Sequence, residues 1–549
     1  MTTATDWLQP PLPLQLTWLA LLALAGLDWL RRGWRDLEPG ERRLALWLAL
    51  ALAATLGLRF ATDVPRFLHA NLHGPALLGD VLRFPQPAEE RAEYGCGHPT
   101  LLGLVAAALG RRWETVVRAD QVLGVATLGL AAWQAQRWLR EPAAALWVVA
   151  FGALAPALTL VAASEDANVS AAAVAWLTAL ALDRYGRRRQ AADLVLAVLA
   201  AGWMLWSRQA GILWLPVAAA LPLWQHADLR KDRRLLAALA GLALLLALRM
   251  AASWQHPGDN LTYAILVRML QAPGQLWPLF RNHPMFSHEY ALFTAPLLLF
   301  GWVLLPQRAP VGRPLAWALL ALVAATLPFG VPAPGSNLAF RWPAVLLALV
   351  PQAAAAIHLA ARLRAWQRPV LGIAVALAPL LAPNWGELHE QGPLEAEYLL
   401  LRAVLPKLPN GALLAVPDLR EPAPSWHLPR HLLPVETQLI ALDERAPTDR
   451  PVYWVLGVAC RGRSPLELRG SDSVADRTTA VLQSFRGEAP VAPRTLRSEC
   501  QRWLARSHPV TPVQLVTPRD ELPFVLYGGA PLQLAVMLRP AIDRGGTGR

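Results

Sequence analysis

The chain alternates between long apolar blocks and short polar connections. Blocks such as Leu44–Leu58, Ala143–Val161 and Leu235–Leu248 are rich in Ala and Leu and almost free of charge. A helix needs about 20 mostly apolar residues to cross a bilayer, with ~17 as the lower limit. Several blocks reach this length and some fall slightly short. They lack the in–out alternation of a barrel strand, so they predict helices. About twelve spans follow, near 12–30, 44–60, 118–138, 143–162, 168–183, 190–206, 210–225, 235–252, 289–306, 314–331, 342–361 and 369–383. The predicted fold class is mostly α, a polytopic membrane helical bundle.

The pattern changes at Asn384. Prolines and charges rise, and apolar runs shorten to strand length. Helices are expected at Leu394–Leu405 and Leu496–Ala505. Strands are expected at Ala412–Val416, Val452–Ala459, Val513–Val516 and Phe524–Tyr527. Mixed helices and strands make this tail a small α/β domain. The organisation is therefore 1–43, an extra N-terminal span and cytoplasmic loop; 44–383, the main transmembrane domain with an outer loop at 59–117; and 384–549, the C-terminal domain.

Composition agrees with a membrane protein. Of 549 residues 55% are hydrophobic and only 16% charged, against about 25% charged in a soluble domain. The net charge of +12 does not point to nucleic acid, because the arginines lie between apolar blocks, where they report topology. Every second connection is basic: Arg31–Arg43, Arg137–Arg140, Arg184–Arg189, Arg230–Arg234, Arg308–Arg313 and Arg362–Arg368. Cytoplasmic loops retain Lys and Arg, so these connections are expected in the cytosol. Arg59–His98, Ser164–Asn168, Trp206–Gln209, Ser253–His288, Pro332–Arg341 and the tail are then expected outside. In a bacterium this means a multi-pass protein of the cytoplasmic (inner) membrane with a periplasmic C-terminal domain. The residues after Met1 show no basic stretch and no small-residue cleavage site, so a cleaved signal peptide is not expected. Thr100–Gly110 is about half a span long and is expected to dip into the outer leaflet. Three cysteines show no metal-ligand spacing. Cys460 and Cys500 are a disulfide candidate if the tail is extracytoplasmic, with two free thiols as the alternative.

Ionisable residues at a membrane boundary are costly and often functional. On the outer side these are Asp63, Glu165 and Asp166, Arg208, Arg341, and His98, Tyr94 and Asp80 in the long loop. Each has a plainer role available. Asp63 can sit at a wet helix end, Ser164 or Asp166 can cap a helix, Arg341 can snorkel to headgroups, and His98-Pro99 can simply start a helix. Together they suit the transfer of a sugar from a lipid phosphate. That reaction needs a general base for the acceptor and a cation or metal for the departing phosphate. Asp63 offers the base, with Asp80 as a rival in the loop. Arg341 and Arg208 offer cations that stay charged and can grip phosphate through two N–H groups. Glu165 or Asp166 could orient the acceptor or help hold a divalent metal, whose ligands the sequence leaves open. The tail carries no catalytic motif; Ser425-Trp426-His427 is isolated.

The order of parts resembles the GT-C superfamily of polyprenyl-phosphate-sugar-dependent glycosyltransferases, which includes protein O-mannosyltransferases and the aminoarabinose transferase of lipid A. Asp63 matches the acidic residue near the start of a large outer loop, without the Asp-Glu pair of the mannosyltransferase branch. His98-Pro99-Thr100-Leu101 resembles the His-Pro-Pro-Leu-like end of that loop. Val117–Gly124, Ser164-Glu165-Asp166, Trp206–Gly211 and Phe340-Arg341-Trp342-Pro343 resemble later elements in the same order. The resemblance covers roughly residues 44–383. It implies a GT-C bundle whose donor enters from the bilayer, whose phosphate meets Arg341 and Arg208, and whose acceptor is activated by Asp63. The acceptor, a glycan, lipid or protein, is left open. A transporter or flippase for an amphipathic substrate, and a non-catalytic envelope assembly protein, are the alternatives. Mid-span regions with few charges and no internal repeat favour surface chemistry over transport.

Overall fold

A computed structural model describes residues 10–63, 65–67, 73–86, 95–164, 167–208, 211–254, 294–309, 311–326, 334–381, 393–416, 430–434, 436–441, 450–456, 502, 508–515 and 532–538. The described chain divides into two compact units.

The first unit is helical. Its long helices are α1 (Leu12–Asp36) and α2 (Pro39–Thr62). After α3 (His73–Leu82), whose residues 73–79 belong to the second unit, come α4 (Gly97–Leu109), α5 (Trp113–Leu139), α6 (Ala143–Gly152), α7 (Pro156–Ala162), α8 (Asn168–Arg188), α9 (Ala191–Ser207), α10 (Gly211–Gln225), α11 (Arg233–Trp254), α12 (Thr294–Arg308), α13 (Gly312–Thr326), α14 (Pro334–Ala360) and α15 (Gln367–Leu377). Each apolar block read from the sequence falls on one of these helices or, for 143–162, on a pair. Among the described residues, α1, α2, α5 and Trp342–Ala360 of α14 are long and apolar enough to cross a membrane. The chain is a multi-pass membrane protein.

The helices are not equivalent. In α1 and α2 only 11% and 17% of the apolar window is buried, against 83% for Trp342–Ala360. Leu24, Leu27, Leu46, Trp47 and Leu50 point outward from α1 and α2, a face that lipid covers without cost. The helix α8 is buried on nearly every side from Asn168 to Tyr185. It can carry Asn168, Ser170, Thr178 and Asp183 because protein, not lipid, surrounds it. Trp113, Trp138, Trp203 and Trp342 are fully buried.

Three expectations change. The block 143–162 is a helix pair bent by 69°. Pro156 lacks an N–H and pushes Ala155 to an extended backbone, φ −54 and ψ 119, which ends one helix and starts the next. The outer loop is not all irregular, since it contains α3. The late helix starts at Pro334, so Arg341 lies two turns inside α14 instead of at its start; Pro334 occupies the first turn, where its missing N–H has no partner to lose.

In the second unit, α16 (Pro393–Val404) accompanies β1 (Leu413–Val416), β2 (Gln438–Ala441), β3 (Val452–Leu456), β4 (His508–Leu515) and β5 (Leu532–Leu538). The sheet order is β2-β1-β3-β5-β4. The strand β1 is parallel to both β2 and β3, with Leu413 opposite Gln438 and Val452. The strand β5 is antiparallel to β3 and β4. Leu401, Leu405, Leu408, Ala412 and Leu414 form the core beneath it. The strands β2 and β5 were not expected: four residues of mixed polarity, and an apolar run close to the C-terminus, carry little strand signal. Of the expected elements, Phe524–Tyr527 and all of Leu496–Ala505 but Arg502 lie outside the described residues, as do Ser425-Trp426-His427, Cys460 and Cys500. Cys96 is buried.

Candidate functional site

The helix directions sort the polar residues into two ends. Arg184 donates to the Trp29 carbonyl at 2.8 Å and pairs with Asp36 at 3.0 Å. Arg188 also pairs with Asp36, and Arg32 donates to Gln190. Arg189 pairs with Asp228 and Asp232. Three of the basic connections therefore meet at one end, where α1 and α8 finish and α9 and α11 begin. The candidate residues lie at the other end, where α2, α7 and α9 finish and α4, α5 and α8 begin.

Asp63 is the C-cap of α2, with its N–H on the Arg59 carbonyl at 2.8 Å. It follows the helix directly instead of by a further turn, and it is only 6% exposed. It is not a solvated charge at a wet helix end. The Gln121 amide nitrogen of α5 donates to Asp63 Oδ2 at 3.0 Å, and the Thr62 hydroxyl donates to Oδ1 at 3.2 Å. The Gln121 oxygen accepts from Arg118 at 2.9 Å, which fixes the amide's orientation. Arg118 itself stacks over Phe60, 4.6 Å from the ring centroid. A chain of contacts from Phe60 through Arg118 and Gln121 thus holds the carboxylate.

Arg59 lies one turn earlier and is fully buried. It donates from Nε to the Ala153 carbonyl and from a terminal nitrogen to the Gly152 carbonyl, each at 2.8 Å. These carbonyls end α6, where the break at Pro156 removes their usual partners. A cation at the negative end of a helix dipole is also favourable. The Gly124 position lies within van der Waals reach of Arg59, and a side chain there would meet Ala162 of α7 at 2.9 Å. Small residues let α5 approach the break closely.

The turn before α4 packs against the end of α9. A side chain at Gly95 would meet the Trp206 carbonyl at 2.1 Å, and one at Gly97 would meet the Ser207 hydroxyl at 2.5 Å. Only glycine permits this approach. It seats His98, fully buried, with Nδ1 3.2 Å from the Ser170 hydroxyl of α8. Ser170 in turn donates to the Ala167 carbonyl at 3.0 Å. Arg208, the C-cap of α9, is 1% exposed beside this turn. The chain after α2 reaches the end of α7 through the Arg66 N–H and the Ala163 carbonyl, 3.1 Å apart.

The structure therefore places Asp63, His98 and Arg208 at the same end of the bundle. Glu165 and Asp166 lie outside the described residues, but Ser164 and Ala167 on either side belong to this end. Tyr94 also lies outside them, and of Arg341 only the backbone, within α14, is described. Asp80, the rival base, is buried in α3 and paired with Arg83 at 3.1 Å. Among the described residues no group of three His, Cys, Asp or Glu is arranged to hold a metal ion. Arg59, Asp120, Gln121 and Ser170, all buried, were assigned no role from the sequence. Their signal was present as polar residues inside apolar helices, which a lipid-facing helix would not carry.

No protein-family model matches the chain, and no curated protein does. Solved structures do align with it. ArnT from Cupriavidus metallidurans in the apo state is similar over 90% of this chain and 98% of its own, at 13% identity and TM-score 0.47. The same protein bound to undecaprenyl phosphate aligns over the same shares at 12% identity and TM-score 0.47. The Archaeoglobus fulgidus oligosaccharyltransferase, in a complex with Zn and sulfate, aligns over 72% of this chain and 62% of its own, at 14% identity and TM-score 0.41.

Proposed function

We propose that the protein moves a sugar from a polyprenyl-phosphate donor to an acceptor on the outer face of the cytoplasmic membrane. The observation that carries this reading is a buried carboxylate, Asp63, held by Gln121 at the same bundle end as His98 and Arg208. Each carboxylate oxygen accepts one of these hydrogen bonds. The acceptor hydroxyl or amine gives its proton to Asp63 as its oxygen or nitrogen attacks the anomeric carbon. The bond from that carbon to the phosphate oxygen breaks, and polyprenyl phosphate leaves. Arg208 and Arg341 stabilise the charge gathering on that phosphate, as cations that stay ionised and can grip it through two N–H groups. Glu165 and Asp166, next to Ser164 and Ala167, orient the acceptor.

A photoreactive polyprenyl phosphate tests donor binding. It is expected to label peptides from the α4 start or the α9 end, and to lose most of that label in Arg208→Gln. Labelling confined to the basic end would contradict the reading. The same proposal sets the basic end in the cytosol and the domain from residue 384 outside. A periplasm-dependent reporter fused after residue 384 is expected to be active, and cytosolic reporter activity there would invert the topology.

One observation favours the transporter alternative. The α6–α7 pair is a broken helix, and discontinuous helices often line transport sites. Yet the broken end is closed by Arg59, which occupies the freed carbonyls of Gly152 and Ala153. This is a join within the fold, so the transferase is preferred.

A further inference from the structure

A second feature lies at the opposite end, away from Asp63. Helices α8, α9, α10 and α11 enclose an apolar cleft of about 170 Å³. Leu182, Leu194, Ala197, Leu239, Leu242 and Leu246 line it, with Pro216 from α10. The one hydroxyl on the wall, Thr178, is turned to its own helix, donating to the Val174 carbonyl at 2.8 Å. Nothing on this wall would orient a polar ligand. Pro216 and Ala243 on the rim are exposed, so the cleft opens sideways. Along α11 it runs from Leu235 to Leu246, ~16 Å at the rise of an α-helix. That matches one leaflet of a hydrocarbon core about 30 Å thick.

The cleft's end is strongly cationic. Arg230, Lys231, Arg233 and Arg234 are exposed at the start of α11, and Arg234 stands one turn before the lining residue Ala238. The nearby acids are already engaged. Asp228 pairs with Arg189, and Asp232 accepts from Tyr185 at 2.7 Å and from Arg189 at 3.1 Å. Asp232 Oδ1 also caps α11 through the Arg234 N–H at 2.9 Å. The hydrogen bond from Tyr185 holds the Asp232 carboxyl below its usual range, and that from Arg189 does the same for Asp228. The four cations are left without an ion pair among the described residues. Trp224, 60% exposed with Arg230 5.9 Å over its ring, marks the headgroup level, where Trp is enriched.

We propose that this cleft holds one acyl chain of an anionic phospholipid, with its phosphate bound by Arg233, Arg234 and their basic neighbours. Shape supplies the chain site, and uncompensated charge selects the headgroup. Basic clusters at the cytoplasmic ends of membrane helices bind anionic lipids in this way. The site is separate from the proposed donor site and involves no sugar chemistry.

The test uses the full chain, delipidated in detergent and titrated with phosphatidylglycerol or phosphatidylcholine, with native mass spectrometry as the readout. One saturable phosphatidylglycerol adduct is expected, with phosphatidylcholine weaker by about tenfold or more. Arg233→Gln with Arg234→Gln should remove that preference. Both side chains are exposed and make no ion pair among the described residues, so folding should survive, checked by an unchanged melting curve. Ala243→Trp, which fills the rim, should lower binding of both lipids. Equal affinity for the two lipids, or an unchanged preference in the double variant, would overturn the proposal. So would displacement of the adduct by undecaprenyl phosphate at equal concentration, which would assign the cleft to the donor instead. Lipid binding is read without turnover, so it stands or falls independently of the transferase reading.

Discussion

Asp63→Asn is expected to lower sugar transfer by about 100-fold or more, the contribution of a positioned general base, while the protein still folds and still binds its donor. The substitution keeps the size of the side chain and leaves one oxygen to accept from Gln121 or Thr62. What it removes is the capacity to take a proton. The loss should therefore fall on turnover, with donor labelling unchanged. Gln121→Leu separates positioning from chemistry: the carboxylate stays but loses its 3.0 Å donor, and a smaller loss of turnover is expected. Retained turnover in Asp63→Asn would move the base elsewhere. Asp80, the rival in the loop, and Asp120, buried in α5, are the described acids to test next.

Arg59→Met is expected to be the most destabilising single change in the bundle. Removing the donor of a buried hydrogen bond costs about 1–3 kcal/mol for each acceptor left unsatisfied. Here it leaves the carbonyls of Gly152 and Ala153 exposed to a dry interior and the helix break unsupported. Arg59→Lys keeps the charge but cannot span both carbonyls with a planar fork, so an intermediate loss is expected. Melting temperature in detergent measures both. Because α2 carries Arg59 and Asp63 one turn apart, Arg59→Met should also lower turnover through displacement of Asp63. A melting curve equal to wild type would show that the join between α2 and α6 is not important.

The helical scaffold was legible because a run of 15 to 25 apolar residues has few other options in a bilayer. Proline was the main source of error. A count of apolar residues passes over Pro156, yet its missing N–H splits 143–162 into α6 and α7 and creates the site that Arg59 fills. Arg59 itself looked like the first residue of a loop, because the apolar block ends at Leu58. The helix in fact continues to Thr62, turning the arginine inward. Asp63 and His98 were legible as polar residues at the ends of apolar runs. Gln121 was not, since a neutral amide in a helix has no charge to attract notice. Its partner across 58 positions is a product of the packing of α2 on α5. In the tail, β1 was legible as a short apolar run and β3 as a β-branched and aromatic one. The strands β2 and β5 were missed for lack of such runs bounded by turns.

The central claim is that this bundle releases polyprenyl phosphate from a sugar donor through Asp63. The most direct measurement incubates the purified chain in vesicles with a panel of polyprenyl-phosphate-linked sugars and bacterial envelope acceptors, and follows release of polyprenyl phosphate. The predicted result is release from at least one donor by the wild-type protein, reduced by about 100-fold or more in Asp63→Asn. Equal release by wild type and Asp63→Asn, or donors left intact across the panel by a folded wild-type protein, would contradict it.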